Sequence, residues 1–337
     1  MQQVRVHGPG DVRVDDVAEP DPGPRDVVVR VANCGICGSD LSYISMGGLG
    51  GPGGPMCLGH EVSGTVDWVG DEVTSATVGD RVVVHPGDDE IGRIGNGGAQ
   101  GGLTPLLLVT DADRGRLRPV PDGLPLDVAA FAEPLAVGMH AVDQADVEPG
   151  EGVCVFGCGP IGLAAIATLV DRGHDQVVAV DLSATRLDLA RGLGVRAAID
   201  PTETDLWAAL ADLHGTTPFM FGPTPATAAF IEASGAGSVI GDIIDHAAMR
   251  ARLAIVALHY RPIPTSFLMV MMKELSIRGS IEYPKGLDDA IDLLARRDLS
   301  GLLTHRFPLD RFDDALGLLQ GSKDCGKVLV TIDDSFT

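Results

Sequence analysis

The stretch Val153-Cys154-Val155-Phe156-Gly157-Cys158-Gly159-Pro160-Ile161-Gly162 constrains this chain more than any other. Its first four residues are apolar and two are β-branched, which predicts a short buried strand. Gly157, Gly159 and Gly162 follow at the spacing of a dinucleotide-binding turn. The first glycine permits the tight turn, the second lets backbone approach a pyrophosphate, and the third lets the next helix pack on the strand. The N-terminus of that helix, opened by Pro160 and Ile161, directs partial positive charge at phosphates. A helix is expected over 163–172, closed by Gly173, and a second strand over 177–180 ending in Asp181. That acid lies about 20 residues beyond the last fingerprint glycine, where a carboxylate accepts hydrogen bonds from the adenosine ribose.

Around this unit the chain divides in two. Val-rich runs at 4–6, 12–14 and 27–32 are separated by turns such as Glu19-Pro20-Asp21-Pro22-Gly23-Pro24, and further strands are expected at 62–69, 81–85 and 106–109. This is an antiparallel, barrel-like pattern. From about Leu135, strand-like and helical stretches alternate at 184–193, 204–213, 228–233, 238–249 and 253–258, which implies a doubly wound parallel sheet. Helices are expected at 286–297 and 311–320, with a closing strand at 327–332. The glycine-rich stretches 47–54 and 92–102 read as loops.

Bulk properties narrow the function. Apolar residues make up 45% of the 337, yet no uninterrupted apolar run is long enough for a membrane span. No apolar core of a secretory signal is visible at the start. A net charge of −22 argues against a nucleic-acid partner, whose phosphates require clustered Lys and Arg. A cytoplasmic protein with no membrane partner is expected. Six scattered Cys make no disulfide framework and point to metal ligands or buried thiols.

Two clusters in the β-rich part could carry chemistry: Cys34-Gly35-Ile36-Cys37-Gly38-Ser39-Asp40, and Gly59-His60-Glu61. A thiolate, an imidazole and a carboxylate make a catalytic zinc set with an open fourth position. Cys34 and Cys37 could instead be half of a structural site, but no second Cys pair completes it. Glu133, before Pro134 and among apolar residues, is a third candidate ligand because a buried carboxylate needs a partner. Each of these residues also has an ordinary structural reading.

Taken together, the motifs GICGSD (35–40), GHE (59–61), GDRV (79–82), EPLAVGMHAV (133–142), VFGCGPIG (155–162), EASG (232–235) and KELSIRGSIEY (273–283) resemble the zinc-dependent medium-chain dehydrogenase/reductase family. The likeness is to its sorbitol and 2,3-butanediol dehydrogenase branch and spans nearly the whole chain. It implies a GroES-like catalytic domain from residues 1–138 and 276–337, with a Rossmann NAD-binding domain of residues 139–275 inserted and the active site in the cleft. By position, Cys37 and His60 are the implied zinc ligands, with Glu133 as carboxylate ligand or holder of the zinc-bound water and Glu61 as the alternate. Ser39 is implied to bond the substrate hydroxyl, and Cys34 to be a buried thiol. Leu258, Ser280 and Lys327 are implied on the cofactor side with Gly157, Gly159, Pro160, Ile161, Gly162, Asp181 and Arg186.

Three departures from the family pattern refine this. The stretch 85–103, where many relatives hold a structural zinc with four Cys, contains none, so a single catalytic zinc and a shorter lobe are expected. Ser42 stands where relatives carry a proton-relaying His, leaving Ser39 with the cofactor ribose and water, or Tyr43, for that task. Glu282 stands at an Arg of the sorbitol-type enzymes, with Tyr283 retained, which weakens the case for sorbitol.

The implied chemistry is hydride transfer. Zinc lowers the pKa of an alcohol, whose carbinol hydride passes to a nicotinamide. Asp181 favours NAD over NADP because its charge opposes a 2′-phosphate, although nearby Arg186 softens that preference. Segment 41–46 mixes apolar and hydroxyl side chains without an Arg clamp, so a small secondary alcohol, diol or polyol and its ketone are expected as substrates. A zinc-free reductase of an activated double bond, and an NAD-binding protein without catalysis, are the alternatives. Within 252–272, Leu258-His259-Tyr260 and the run 267–272 give apolar surface beyond what one core needs, which suggests a homodimer or homotetramer.

Overall fold

The Val-rich runs of the first third pair as strands because β-branched side chains suit a pleated sheet and Pro/Gly turns separate them. The computed structural model describes residues 1–49, 54–87, 92–321 and 324–333. Part of the expected loop at 47–54, part of the short lobe at 85–103 and the last residues of the expected catalytic domain lie outside the described residues. Two compact units emerge. The first holds residues 1–133, 285–323 and 327–337, and the second holds residues 134–284 and 324–326. The sequence reading placed the junctions at 138/139 and 275/276. Residues 276–284 group with the second unit because the strand at 276–279 completes its sheet.

The first unit begins with β1 (Gln2–Gly8), β2 (Asp11–Asp16), β3 (Val27–Gly35), α1 (Gly38–Met46), β4 (Met56–Cys57), β5 (Glu61–Val69), β6 (Arg81–Val84), β7 (Leu106–Val109), β8 (Leu117–Pro119), α2 (Leu126–Ala129) and the first residues of α3 (Ala132–Ala145). The second follows with β9 (Gly152–Phe156), α4 (Pro160–Asp171), β10 (Val177–Val180), α5 (Ala184–Leu193), β11 (Ala197–Ile199), α6 (Leu206–His214), the short pair β12 (Thr216–Thr217) and β13 (Thr224–Pro225), β14 (Thr227–Glu232), α7 (Gly237–His246), β15 (Arg252–Ile255), α8 (Phe267–Met272) and β16 (Ser276–Gly279). The chain then returns to the first unit with α9 (Asp288–Arg296), β17 (Leu303–Pro308), α10 (Phe312–Gln320) and β18 (Lys327–Thr331).

In the first unit a sheet of order β17-β18-β3-β5-β6-β8, with β7 also on β3, lies beside the small sheet β2-β1-β4. The register at the end of β3 decides where chemistry can occur. Gly35 faces Glu61 of β5 on one side and Leu329 of β18 on the other. Residues from three distant parts of the sequence therefore surround one strand end.

In the second unit all six strands are parallel, in the order β11-β10-β9-β14-β15-β16. Central β9 is apolar throughout because helices cover both faces of such a sheet. Phe156 is level with Val180 of β10 and Glu232 of β14, so the carboxyl ends of three strands line up. The strand order reverses direction between β9 and β14, which is where ligands bind in open α/β sheets. One side of the core packs Phe156, Leu210, Phe230, Ile240, Ile243 and Leu253. Each such buried side chain contributes about 1.5–3 kcal/mol.

Two elements add to the sequence reading. Segment 38–46, which contains the expected pocket stretch 41–46, is a helix, because Asp40 accepts a hydrogen bond from the Cys37 N–H at 2.9 Å and fixes its first turn. Run 267–272 is also a short helix, with Phe267, Leu268 and Met271 exposed, and the following strand β16 is an exposed sheet edge.

Candidate active-site residues

The candidate metal set is built on the end of β3. Cys37 follows β3 and is the N-cap of α1, so its half-buried thiol sits at the positive end of a helix. His60 and Glu61 lie directly before and at the start of β5, across from Gly35, and both are buried. Ligand atoms of Cys37, His60 and Glu61 all lie within 4.8 Å of one another. Among the described residues this is the one group of three or more potential donors so gathered. A soft sulfur, an imidazole nitrogen and a carboxylate oxygen are the donor types of a catalytic zinc site, which leaves its fourth position for water or substrate. Buried Glu61 Oε1 also lacks a hydrogen-bond partner, as an oxygen reserved for a metal would.

The gathered carboxylate is Glu61, expected only as the alternate, and Glu133 is outside the trio. The β3–β5 register is the cause, since it places Glu61 beside the Cys37 turn. Glu133 is buried at the start of α3, and its charge acts on Lys327.

Lys327, expected on the cofactor side, has its ammonium beside Glu61 at the end of β3. Its side chain is 1% exposed, its ammonium pairs with Glu61 Oε2, and it donates to the Ile36 carbonyl at 2.8 Å. β18 lies on the other side of β3 and carries Lys327 to that place. Burial works against its charge, but Glu61, Cys37 and Glu133 outweigh burial and its pKa is raised. Gly35 makes room for the pair: a Cβ there would fall 2.6 Å from Lys327 Cε and still closer to Glu61 Oε2.

Asp40 is a positioning residue that the sequence reading quoted without a role. Its carboxylate is fully buried, holds the Cys37 backbone through Oδ2, and lies 3.6 Å from His60 Nδ1 through Oδ1. Burial opposes a charged His60, yet Asp40 and then Cys37 raise its pKa well above the ordinary value. The signal was available: Asp40 stands three residues after Cys37, the spacing of a helix-capping pair. Cys34 is a buried thiol whose pKa is pushed up by burial and the nearby carboxylates, as expected of a structural cysteine.

Ser39 is half-buried in the first turn of α1. Ser42, at the position of the missing His, donates to the Gly38 carbonyl of its own helix at 3.3 Å. Tyr43 is half-buried, interacts with the Ser39 hydroxyl, and donates to Asn96 Oδ1 at 3.3 Å. Burial pushes the Tyr43 phenol up.

The second unit builds the dinucleotide crevice at the carboxyl ends of β9, β10 and β14. Gly157 has φ 90°, and a Cβ there would lie 2.7 Å from the Ser234 backbone. A Cβ on Gly162 would strike the Gly157 carbonyl at 1.7 Å. Gly159 caps α4, Pro160 is its first residue, and Ile161 and Gly162 bring their N–H groups to its open end. Asp181 accepts from Cys158 N–H at 2.6 Å and from Ser183 N–H at 2.9 Å, which fixes its carboxylate beside the turn. The Cys158 thiol is buried there, and its pKa is pushed up to about 12 by burial and then by Asp181.

Leu258 is exposed just past β15, and Ser280 is buried just past β16 with its hydroxyl unpartnered. Buried Glu232 was quoted in sequence only within EASG. It accepts from the Ser234 and Gly235 backbone at 2.9 Å and lies 2.8 Å from His259 Nε2, tying the ends of β14 and β15 together. No helix among the described residues is long and apolar enough to cross a membrane.

Residues 23–115 match the alcohol dehydrogenase GroES-like domain, and residues 160–296 match the zinc-binding dehydrogenase family. Sorbitol dehydrogenases from Pongo abelii and Homo sapiens are each 34% identical over 327 residues, covering 91% of this chain and 89% of theirs. The crystal structure of 2R,3R-butanediol dehydrogenase from Bacillus subtilis superposes with a TM-score of 0.87 at 29% identity, covering 98% of this chain and 99% of that one.

Proposed function

The chain belongs to the zinc-binding alcohol dehydrogenases of the medium-chain dehydrogenase/reductase family, and from that premise we propose that it interconverts a secondary alcohol, diol or polyol and its ketone with NAD as hydride carrier. The observation that carries this reading is the convergence of Cys37, His60 and Glu61. When bound, zinc supplies a Lewis acid that lowers the pKa of the alcohol, and the nicotinamide accepts the hydride. Cys37, His60 and Glu61 would hold the ion, with Glu133 nearby as a further carboxylate. Asp40 would keep the thiol and the imidazole in place. Without Cys in 85–103, one zinc per chain is proposed.

Ser39 would accept the substrate's hydroxyl proton. Ser42 is bonded to its own helix, so Tyr43, bonded to Asn96 and interacting with Ser39, would carry the proton onward. Gly157, Gly159, Pro160, Ile161 and Gly162 would seat the pyrophosphate, and Leu258 and Ser280 would line the nicotinamide end. Asp181 would take the ribose hydroxyls and favour NAD over NADP. The mixed apolar and hydroxyl character of 41–46 suits a small secondary alcohol, vicinal diol or polyol, in the cytoplasm. The exposed edge of β16 with Phe267, Leu268 and Met271 would pair with a second copy in a dimer or tetramer.

An NAD-linked alcohol panel run beside metal analysis tests the reading. One zinc per chain and a secondary alcohol as best substrate are expected, and Cys37→Ser should lose both zinc and turnover. Full turnover in metal-free protein, or activity confined to primary alcohols, overturns it. Light scattering tests the assembly, and a monomeric mass refutes it.

A further inference from the structure

The adenosine end of the crevice contains residues that the fingerprint does not predict. Segment 324–326 precedes β18 in the chain but groups with the second unit. There Asp324 Oδ1 accepts from the Ser183 hydroxyl at 2.6 Å, and the Cys325 carbonyl accepts from Arg186 Nε at 2.9 Å. Ser183 is the N-cap of α5: its Oγ accepts from Arg186 N–H at 3.2 Å while its hydroxyl hydrogen goes to Asp324. Its backbone N–H goes to Asp181. Two carboxylates are thus each one hydrogen bond from the same serine.

Arg186 is a cation that the fingerprint unit places near this edge, and its Nε is committed to the Cys325 carbonyl. Its Nη1 end lies over the turn, 3.8 Å from where a Cβ on Gly159 would be. It is therefore held by the C-terminal segment beside the pyrophosphate glycine.

We propose that Asp324 is a cofactor-specificity residue: segment 324–326 brings it to the end of β10, where it adds a second negative charge to the ribose edge marked by Asp181 and opposes a 2′-phosphate. This rests on the proposed dinucleotide site and extends it, because Asp181 alone accounts for only one of the two charges. Asp324 is exposed, so its effect depends on ionic strength.

Binding of 5′-AMP and 2′,5′-ADP, which differ only in the 2′-phosphate, isolates this charge. Calorimetry at low ionic strength on the full chain should show the wild type preferring 5′-AMP. D324N keeps an acceptor for Ser183 and should leave 5′-AMP affinity within about twofold while tightening 2′,5′-ADP by roughly three- to tenfold. D324K, which reverses the charge, should tighten it further, and salt should erase both gains. If the ratio of the two affinities stays within about twofold of wild type in both variants, the role of Asp324 is overturned alone. If the wild type itself prefers 2′,5′-ADP, the NAD reading of the site falls and this role with it.

Discussion

Replacing Lys327 by methionine tests the buried charge arrangement beneath the metal set. Methionine keeps an unbranched apolar stem and removes only the ammonium that pairs with Glu61 and bonds the Ile36 carbonyl. Glu61 is 1% exposed, so the variant leaves a buried carboxylate without its counter-ion. Breaking one side of such a pair costs about 3–5 kcal/mol, against about 0–1 kcal/mol at the surface. For a unit of 150–250 residues that corresponds to a loss of roughly 6–20 °C in Tm. Calorimetry of chelator-treated protein should show this loss. In excess zinc it should be smaller, because the ion supplies Glu61 with a replacement cation. Any part of the loss that zinc recovers must reappear as tighter zinc binding, tenfold for each 1.4 kcal/mol. The raised pKa of Lys327 fixes the pH dependence. The stabilisation is complete below the unfolded value of about 10.4 and disappears as pH rises through the higher folded value, so the gap between wild type and variant closes only in strong alkali. A metal-free loss below about 2 °C, or an equal loss with and without zinc, would refute this account.

Two further substitutions probe other parts of the molecule. Gly162→Ala should abolish 5′-AMP binding, measured by calorimetry, because its Cβ would lie 1.7 Å from the Gly157 carbonyl; wild-type affinity would show that the turn is not required. Asp113 accepts from the Thr74 hydroxyl and from the Thr74 and Ser75 backbone, and its pKa is lowered to about 2, chiefly by Ser75 and Thr74. Its stabilisation is present above pH 3.8 and is lost as pH falls toward 2, so Asp113→Asn should flatten that limb of the Tm–pH curve, and an unchanged limb counts against it.

The features legible in the sequence are those whose requirements are local. Gly162 is demanded by a contact within its own turn and Gly157 by its left-handed φ of 90°, so their spacing alone predicts strand, turn and helix. Cys37 and His60 were readable as ligand types in short motifs. The gathering of Glu61 with them was not, because it depends on β5 aligning with the end of β3, a pairing that no local pattern reports. Helix α1 escaped notice because its glycine and serines carry no apolar period, while the capping contact between Asp40 and Cys37 holds its first turn. Lys327 stands alone in a Val-rich strand, and its partner is far away in sequence. Ser183 reads as an ordinary helix cap; only the fold supplies Asp324.

The metal set concentrates negative potential in a small volume. Glu61, Asp40 and Glu133 are all buried in the first unit, and Cys37 adds a thiol that must ionise to bind a metal. Carboxylates so placed repel one another and lose hydration, and such groups require a cation or strong donors. Lys327 supplies that cation, itself buried, with Glu61, Cys37 and Glu133 outweighing its burial to raise its pKa. Its ammonium is tied to the Ile36 carbonyl, so it is fixed to the backbone that leads into Cys37. Gly35 lets carboxylate and ammonium meet beside β3, since any side chain there would occupy their space. Glycine at position 35 and lysine at position 327 therefore help to place the Glu61 carboxylate beside Cys37 and His60. Exchanging either while keeping Cys37, His60 and Glu61 should change zinc affinity without removing a single ligand.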